Sequence, residues 1–172
     1  MFKQIGVLMV FLLICGSGAA LASTQSQTAT FTVTISSVFE LSIDQGTIDF
    51  GRMKPGDTKW NIPASGVTVT SRTNNGKPWY LKVSSSSPFF SGNNFIPNEN
   101  FTWSGWTDGS GRWYGTGNDA VLSSPKIAYA SGNGEENNLP NGTVNHMKFK
   151  LAVPGSQAPG FYTTDVTFTM TE

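Results

Sequence analysis

The strictest alternation of apolar and polar residues lies near the end of the chain. Val166, Phe168 and Met170 are interleaved with threonines, and Phe161 precedes them after a Pro/Gly-rich turn. A period of two is typical of a half-buried β-strand, and the β-branched threonine suits its solvent-facing side. The pattern therefore predicts a strand here, with Phe161, Val166, Phe168 and Met170 as its apolar residues.

Similar alternation recurs along the chain and predicts further short strands. The segments are 31–35, 39–43, 48–50, 67–70, 79–83, 127–129 and 147–153, of which the first two could be one strand bent near Ser36 and Ser37. Asn74-Asn75-Gly76 stands between two of them and is typical of a hairpin turn. No segment after the N-terminal region keeps a helical apolar spacing over three turns. We expect an all-β fold, an antiparallel immunoglobulin-like β-sandwich of about seven to nine strands.

The alternation breaks down between residues 84 and 124, where large aromatic residues stand among Gly, Asn and Ser. They are Phe89, Phe90, Phe95, Phe101, Trp103, Trp106, Trp113 and Tyr114. We interpret this segment as an aromatic-rich loop insertion. Its rings could fill one end of the sandwich, because large aromatics carry much of the burial in a small domain. Alternatively, exposed rings could stack on sugars, and the candidates are then Trp103, Trp106, Trp113 and Tyr114.

The first 22 residues have the composition of a secretory signal peptide. Lys3 precedes an apolar run from Ile5 to Cys15, and small residues end the segment at Ala22. The run is shorter than the roughly 20 residues of a membrane-spanning helix. Acylation of Cys15 is the alternative, although the preceding residue is not small. We expect a signal peptide at 1–22 and one mature domain at 23–172, without a transmembrane segment and secreted to the cell envelope or medium.

Charge and cysteine content exclude several classes of function. The chain has 11 Lys and Arg against 11 Asp and Glu, so no basic excess favours nucleic acid. Its one cysteine, Cys15, leaves with the signal peptide, so we expect no disulfide. The one histidine, His146, has no nucleophile motif before it, and zinc sites need several His or Cys ligands. We predict no catalytic residue, cofactor or metal. Calcium at loops near Asp108 or Glu135 is left as an alternative, and a glycosidase-type pair of carboxylates stays formally open, although nothing in the sequence pairs them.

Two parts of the chain resemble the spore coat protein U-like domains, which are pilin-like. They are the segment 28–35 leading to Ile48-Asp-Phe-Gly51, and the segment 154–169. In that family an incomplete immunoglobulin-like sandwich is completed by the N-terminal strand of a neighbour. The resemblance implies assembly by strand donation, although the family's cysteines are missing here. Residues 23–37 would then supply a polar leader and a donor strand, with Phe31, Val33 and Ile35 as its apolar face.

Other residues resemble the WxL-type cell-wall domains. The segment 67–81 ends in Trp79-Tyr80-Leu81, which fits the three-letter motif, and Leu151-Ala-Val-Pro154 and Gly160-Phe-Tyr162 follow later. The second tryptophan motif of that family is replaced by Val166-Thr-Phe-Thr-Met170. The resemblance implies noncovalent attachment to the bacterial surface through peptidoglycan. The alternative from the residues themselves is that Trp79 lies in the core, because Leu81 and Val83 share its side of the strand.

These observations predict a secreted, non-enzymatic bacterial cell-surface protein with a structural or adhesive role. Its expected partners are further copies of itself or other surface proteins. The alternative is a module that binds carbohydrate or peptidoglycan. The strand 31–35 decides between them, because it could complete another subunit or pair within its own domain.

Overall fold

The computed structural model describes residues 25–115, 119–121 and 124–172. The predicted signal peptide and its cleavage site lie outside these residues. The chain forms two compact units, one ending at Thr34 and the other comprising Ile35–Glu172. The described residues of the first unit, 25–34, contain no strand. Among the described residues, no helix is long and apolar enough to cross a membrane.

The second unit contains all the strands of the described chain, and every pairing is antiparallel. They are β1 (Phe39–Ile43), β2 (Thr58–Trp60), β3 (Val67–Thr73), β4 (Tyr80–Ser85), β5 (Phe89–Ser91), β6 (Asn94–Ile96), β7 (Phe101–Thr107), β8 (Arg112–Trp113), β9 (Asp119–Ala120), β10 (Lys126–Ala130), β11 (Thr143–Ala152) and β12 (Val166–Thr171). Two single-turn 3₁₀ helices span Asn98–Asn100 and Glu135–Asn137.

Two main sheets make up the sandwich. The first sheet has the order β1-β3-β11-β7-β9, with β2 also paired to β11, and the second has the order β12-β4-β10-β8. Strands β5 and β6 pair with each other alone. The last two strands, β11 and β12, belong to different sheets, so the chain crosses the sandwich between them.

The core lies between the two sheets and follows the alternation of the sequence. Along β11, every odd-numbered residue from Thr143 to Leu151 is buried and every even-numbered residue is partly exposed. Apolar residues of both sheets contribute to one cluster, which includes Val67, Val69, Trp103, Met147 and Phe149 from the first sheet and Leu81, Val83, Ala128, Tyr129 and Met170 from the second. The prediction of an all-β, antiparallel, sandwich-like fold is therefore confirmed.

The predicted Asn74-Asn75-Gly76 hairpin is wrong. Strand β3 pairs with β1 and β11, whereas β4 pairs with β12 and β10, so the connection passes from one sheet to the other. The side chains of Asn74 and Asn75 bond to residues outside the connection and do not close a turn between β3 and β4. Turn sequence alone does not determine which sheet the next strand joins.

The interpretation of 84–124 as a loop insertion is also wrong, because this segment supplies strands β5 to β9. Strand β7 lies inside the first sheet, between β11 and β9, and pairs with β11 over seven residues. Phe101 and Trp103 point into the core from this strand. The aromatic residues obscured the period of two because both faces of β7 carry large rings.

Two further strand predictions need correction. No strand forms at 31–35, and Phe31, Val33 and Ile35 expose 93%, 85% and 80% of their surface. Phe161 is also exposed and precedes β12 without belonging to it. An apolar side chain joins a strand's buried face only where a neighbouring strand supplies the pairing.

Candidate functional site

A cleft of about 810 Å³ opens into the second unit. Its walls are residues of the 46–55 and 157–165 segments, and its floor includes the core side chains of Phe89, Ile96 and Leu151. An adjoining pocket of about 160 Å³ continues between the ends of β1 and β12. The cleft therefore leads from the surface to apolar residues between the two sheets.

Strands β1 and β12 border the inner pocket, and each is an outer strand of its sheet. Strand β1 pairs only with β3 and β12 only with β4 in the described chain. Ile43, at the end of β1, and Val166, at the start of β12, both line the inner pocket. An outer strand has a row of backbone donors and acceptors that can pair with an added strand.

At their other ends, β1 and β12 are joined by the 74–77 connection, which we call the clip. The amide of Asn74 accepts from the Val38 N–H at 2.7 Å and donates to the Ser36 carbonyl at 3.0 Å, just before β1. Asn75 donates to Glu172 at 2.5 Å, and Lys77 forms an ion pair with the same carboxylate at 3.2 Å. The clip holds the flanking strands together at the end away from Ile43 and Val166.

The Trp79-Tyr80-Leu81 motif is divided between core and surface. Trp79 and Leu81 are fully buried, and the Trp79 indole donates to the Glu135 carbonyl at 3.1 Å. Tyr80 is the exposed member. The prediction that Trp79 faces the core is confirmed, so the WxL-like motif cannot present its tryptophan to a wall polymer in this fold.

The four candidate sugar-stacking residues differ in their exposure to solvent. Trp103 is buried, which contradicts its prediction as an exposed stacking ring, and it packs edge-to-face on half-buried Trp113 at 5.6 Å. Trp106 and Tyr114 are exposed. Trp103 and Trp106 are three residues apart on one strand, so they point to opposite sides of the sheet. That parity was the signal available in the sequence.

Two exposed tryptophans of the first sheet lie beside lysines of β11. The Lys148 ammonium lies 5.1 Å from the centre of the Trp106 ring, and the Lys150 ammonium lies 5.5 Å from that of Trp60. Trp60 belongs to β2, a strand that the sequence did not indicate. The alternation of 147–153 did place both lysines on the solvent side of their strand.

His146 belongs to the same solvent-facing row. Its ring stacks on Trp106 with centroids 4.6 Å apart and planes at 14°, and its Nε2 lies 3.2 Å from Asp108 Oδ2. The histidine is therefore held by an aromatic ring and a carboxylate on the surface.

The one buried carboxylate of the described chain is that of Glu135, and it accepts hydrogen bonds from three separate segments. Its Oε2 accepts from the Tyr129 hydroxyl and the Gly132 N–H, both at 2.6 Å, and its Oε1 accepts from the Ser110 N–H at 2.9 Å. Burial and the bond to Glu135 raise the pKa of the Tyr129 hydroxyl well above its usual value. These bonds fasten the 108–111 and 131–138 loops to β10.

No group of three or more His, Cys, Asp or Glu side chains within the described ranges is arranged to hold a metal ion. Asp108 and Glu135, the two residues named for calcium, have the partners given above. The donors around Glu135 are N–H and O–H groups, which stabilise a carboxylate as a cation would.

Comparison with known proteins does not assign the chain to a family. No family model matches the chain, and no curated protein matches it significantly. Among solved structures it is similar to a family 123 glycoside hydrolase from Clostridium perfringens, studied for glycolipid glycan hydrolysis, at 16% identity and a TM-score of 0.40. The match covers 78% of this chain but 24% of that one, so the chain spans about a quarter of the enzyme's length. At this TM-score the similarity carries no argument.

Proposed function

We propose that the protein is a secreted, non-enzymatic subunit of the bacterial cell surface, and that copies assemble by strand addition. One observation carries the proposal: an alternating apolar segment forms no strand, while the cleft and its inner pocket, which lies between Ile43 of β1 and Val166 of β12, open onto the core. Phe31, Val33 and Ile35 of one copy would enter the cleft of another. The polar stretch before them would act as a leader.

The energetics support this pairing. Backbone groups of the donor would pair with the outer edge of β1 or β12, and its alternate side chains would bury in the inner pocket and against the adjoining floor of the cleft. Burial of three large apolar side chains contributes about 5–9 kcal/mol before the cost of association. Association costs about 4–15 kcal/mol, so a stable junction also needs the backbone hydrogen bonds of the added strand.

The test compares two substitutions on adjacent residues of the donor segment. Val33→Asp should abolish multimers, because a carboxylate in an apolar cleft has no partner to offset its desolvation. Thr32→Asp makes the same charge change on the other side of the strand and should leave assembly intact. Size-exclusion chromatography with light scattering measures both. A monomeric wild-type protein across micromolar concentrations would contradict the proposal.

A deletion tests the same junction from the other side. Removal of 23–35 spares Ser36 and Ser37, which bond to the clip. The shortened protein should stay soluble, lose assembly, and gain thermal stability when a peptide of residues 23–35 is added in trans. Peptide that carries Val33→Asp is the matched control. Failure of the wild-type peptide to bind would exclude strand donation.

Secretion belongs to the proposal and has a separate measurement. If residues 1–22 are removed on export, the intact mass of protein from the envelope or medium should correspond to a chain that begins at Ser23. An intact or Cys15-acylated N-terminus would contradict export by this route.

The second candidate is a module that binds carbohydrate or peptidoglycan. It is favoured by the exposure of Trp106 and Tyr114, with the Arg112 guanidinium 4.8 Å above the Tyr114 ring. It is weakened by the burial of Trp79 and Trp103. Binding of the Val33→Asp monomer to isolated cell walls, with loss in Tyr114→Ala, would support it.

A further inference from the structure

The outer face of the first sheet presents tryptophans and lysines together, in a surface that strand addition does not use. We call it the β11 face, and its members are Trp60, Trp106, His146, Lys148 and Lys150. We propose that this face binds an acidic polysaccharide whose sugars carry carboxylate groups. The proposal is independent of whether copies of the protein polymerise.

The strand register brings these residues to one side of the sheet. His146 pairs with Trp106 across β7, and Lys150 pairs with Trp60 across β2. Lys148 lies between them, opposite Ser104. Residues two apart on a strand point to the same face, so the two lysines lie about 7 Å apart.

The two tryptophans mark the ends of an extended track. They lie on opposite sides of β11, and their partners on that strand are four residues apart. Strand rise and spacing put their Cα atoms about 16 Å apart. Trp60 and Trp106 expose 45% and 44% of their surface, so their rings remain accessible over this length. The track is long enough for several sugar rings.

The charges of the face select an anionic ligand. Neither Lys148 nor Lys150 forms an ion pair with a described carboxylate, and each ammonium lies over an aromatic ring. Asp108 is the nearby acid, and it is engaged by His146. Two unpaired cations beside aromatic rings favour a ligand that has both carboxylates and stacking surfaces.

The surroundings favour a polysaccharide over a membrane or a nucleic acid. Thr102 and Ser104 are the residues opposite the lysines: half-buried Ser104 can offer its hydroxyl to a sugar, whereas the Thr102 hydroxyl is buried. A surface that inserts into lipid would carry apolar residues at these positions. Nonspecific binding to nucleic acid depends on several phosphate contacts, and the face has two unpaired lysines in a chain with 11 acidic and 11 basic residues.

Titration calorimetry with polygalacturonate oligomers measures this binding and tests the proposal. The fully methyl-esterified oligomers are the uncharged control. The protein should bind the acidic form and not the ester, and binding should weaken as salt rises. The Val33→Asp variant should be measured alongside, so that multivalency does not enter the affinity. Equal binding of acid and ester, or binding of neither, would overturn the proposal.

Matched variants assign the binding to the β11 face. Lys148→Gln with Lys150→Gln should weaken binding by at least about ten-fold, whereas Lys82→Gln with Lys126→Gln, which removes equal charge from the second sheet, should change it less than about two-fold. Trp106→Ala should weaken binding, and Tyr80→Ala on β4 should not. Unchanged melting temperatures show that each variant folds. Equal losses in both lysine pairs would overturn the assignment.

Two other ligands are outcomes of the same experiment. Vesicles of phosphatidylglycerol and a single-stranded DNA oligomer are titrated under the same conditions. If either binds more tightly than polygalacturonate and depends on Lys148 and Lys150, the face recognises that polymer or surface and the polysaccharide proposal is wrong.

Discussion

At the scale of single residues, the hydrogen bonds of Tyr129 and Glu135 explain how a buried acid is tolerated. The tyrosine hydroxyl donates to the carboxylate and accepts from the Gly111 N–H at 2.6 Å. Three donors from separate segments converge on one carboxylate, so its desolvation is offset by charge-assisted bonds. The loops at this end of the sandwich depend on that group for their position.

The raised pKa of Tyr129 makes stability depend on pH in the alkaline range. The unfolded chain releases this proton near the ordinary pKa of 10.0, while the folded chain retains it to higher pH. The contribution is therefore intact below pH 10 and is lost as the pH rises above it. Urea unfolding from pH 8 to about 11 should show this decline.

Two tyrosine variants serve as controls for that decline. Tyr129→Phe should flatten the alkaline slope and cost about 1–3 kcal/mol near neutral pH, because Glu135 and Gly111 each lose a partner. Tyr80→Phe, at an exposed position, should leave the slope unchanged. An identical slope in Tyr129→Phe would mean that another group carries the effect.

Trp79 should matter for stability and not for surface attachment. Trp79→Ala removes a fully buried ring that packs on Tyr129 with centroids 5.5 Å apart, and should cost about 3–5 kcal/mol of unfolding free energy. Tyr80→Ala should cost much less. If Trp79→Ala kept wild-type stability in denaturant melts and lost binding to isolated cell walls, the WxL-like interpretation would replace this one.

At the scale of elements, the close approach of β7 to β11 restricts the residue at 105. A Cβ at Gly105 would collide with the His146 carbonyl oxygen and approach the Trp113 ring. Backbone must then shift where the two central strands pair. The position requires glycine for space and not for an unusual backbone angle.

A pair of glycine variants tests this restriction. Gly105→Ala should destabilise the protein by about 1–3 kcal/mol, as overpacked positions do, and should disturb the β11 face. Gly155→Ala is the control, because a Cβ there meets no atom within 4 Å. Thermal melts of the two variants measure the difference. Equal melting temperatures would show that β7 can shift without cost.

The sequence patterns predicted where strands lie better than they predicted which strands pair. The alternation found β3, β4, β10, β11 and β12, which have buried residues, and also β1, in which Leu41 alone is partly buried. It missed β2, whose residues are all exposed, and β7, which has Trp103 on one face and Trp106 on the other. Periodicity reports which side of a strand is buried, but pairing depends on distant residues, so the 74–76 turn was assigned to the wrong connection.

For the candidate sites too, the sequence predicted the residues along one strand but not the neighbours that other strands supply. The sequence identified Phe31, Val33 and Ile35 as an apolar row, yet their exposure depends on whether a strand is available to pair with them. It identified Lys148 and Lys150 as solvent-facing, yet the tryptophans beside them come from β2 and β7. A surface assembled from three strands cannot be found from any one of their patterns.

At the scale of the whole molecule, core packing and strand pairing should make the fold stable without a bound metal ion. Both carboxylate oxygens of Glu135 accept protein donors, which leaves the 131–138 loop without need of a cation. EDTA should therefore leave the melting temperature within about 1 °C of its value in buffer. A loss of several degrees that calcium restores would show that an acidic loop binds the ion.

The clip makes the two ends of the β1–β12 boundary unlike, and this sets the direction in which a fibre of the protein would grow. Asn74, Asn75 and Lys77 fasten one end, while the other lies open between Ile43 and Val166. A donated strand would therefore have one direction of entry, and every junction would repeat the same head-to-tail relation. Such a fibre would be polar, with an exposed donor at one tip and an empty acceptor at the other. Capping either tip would stop elongation there while leaving the opposite tip unaffected.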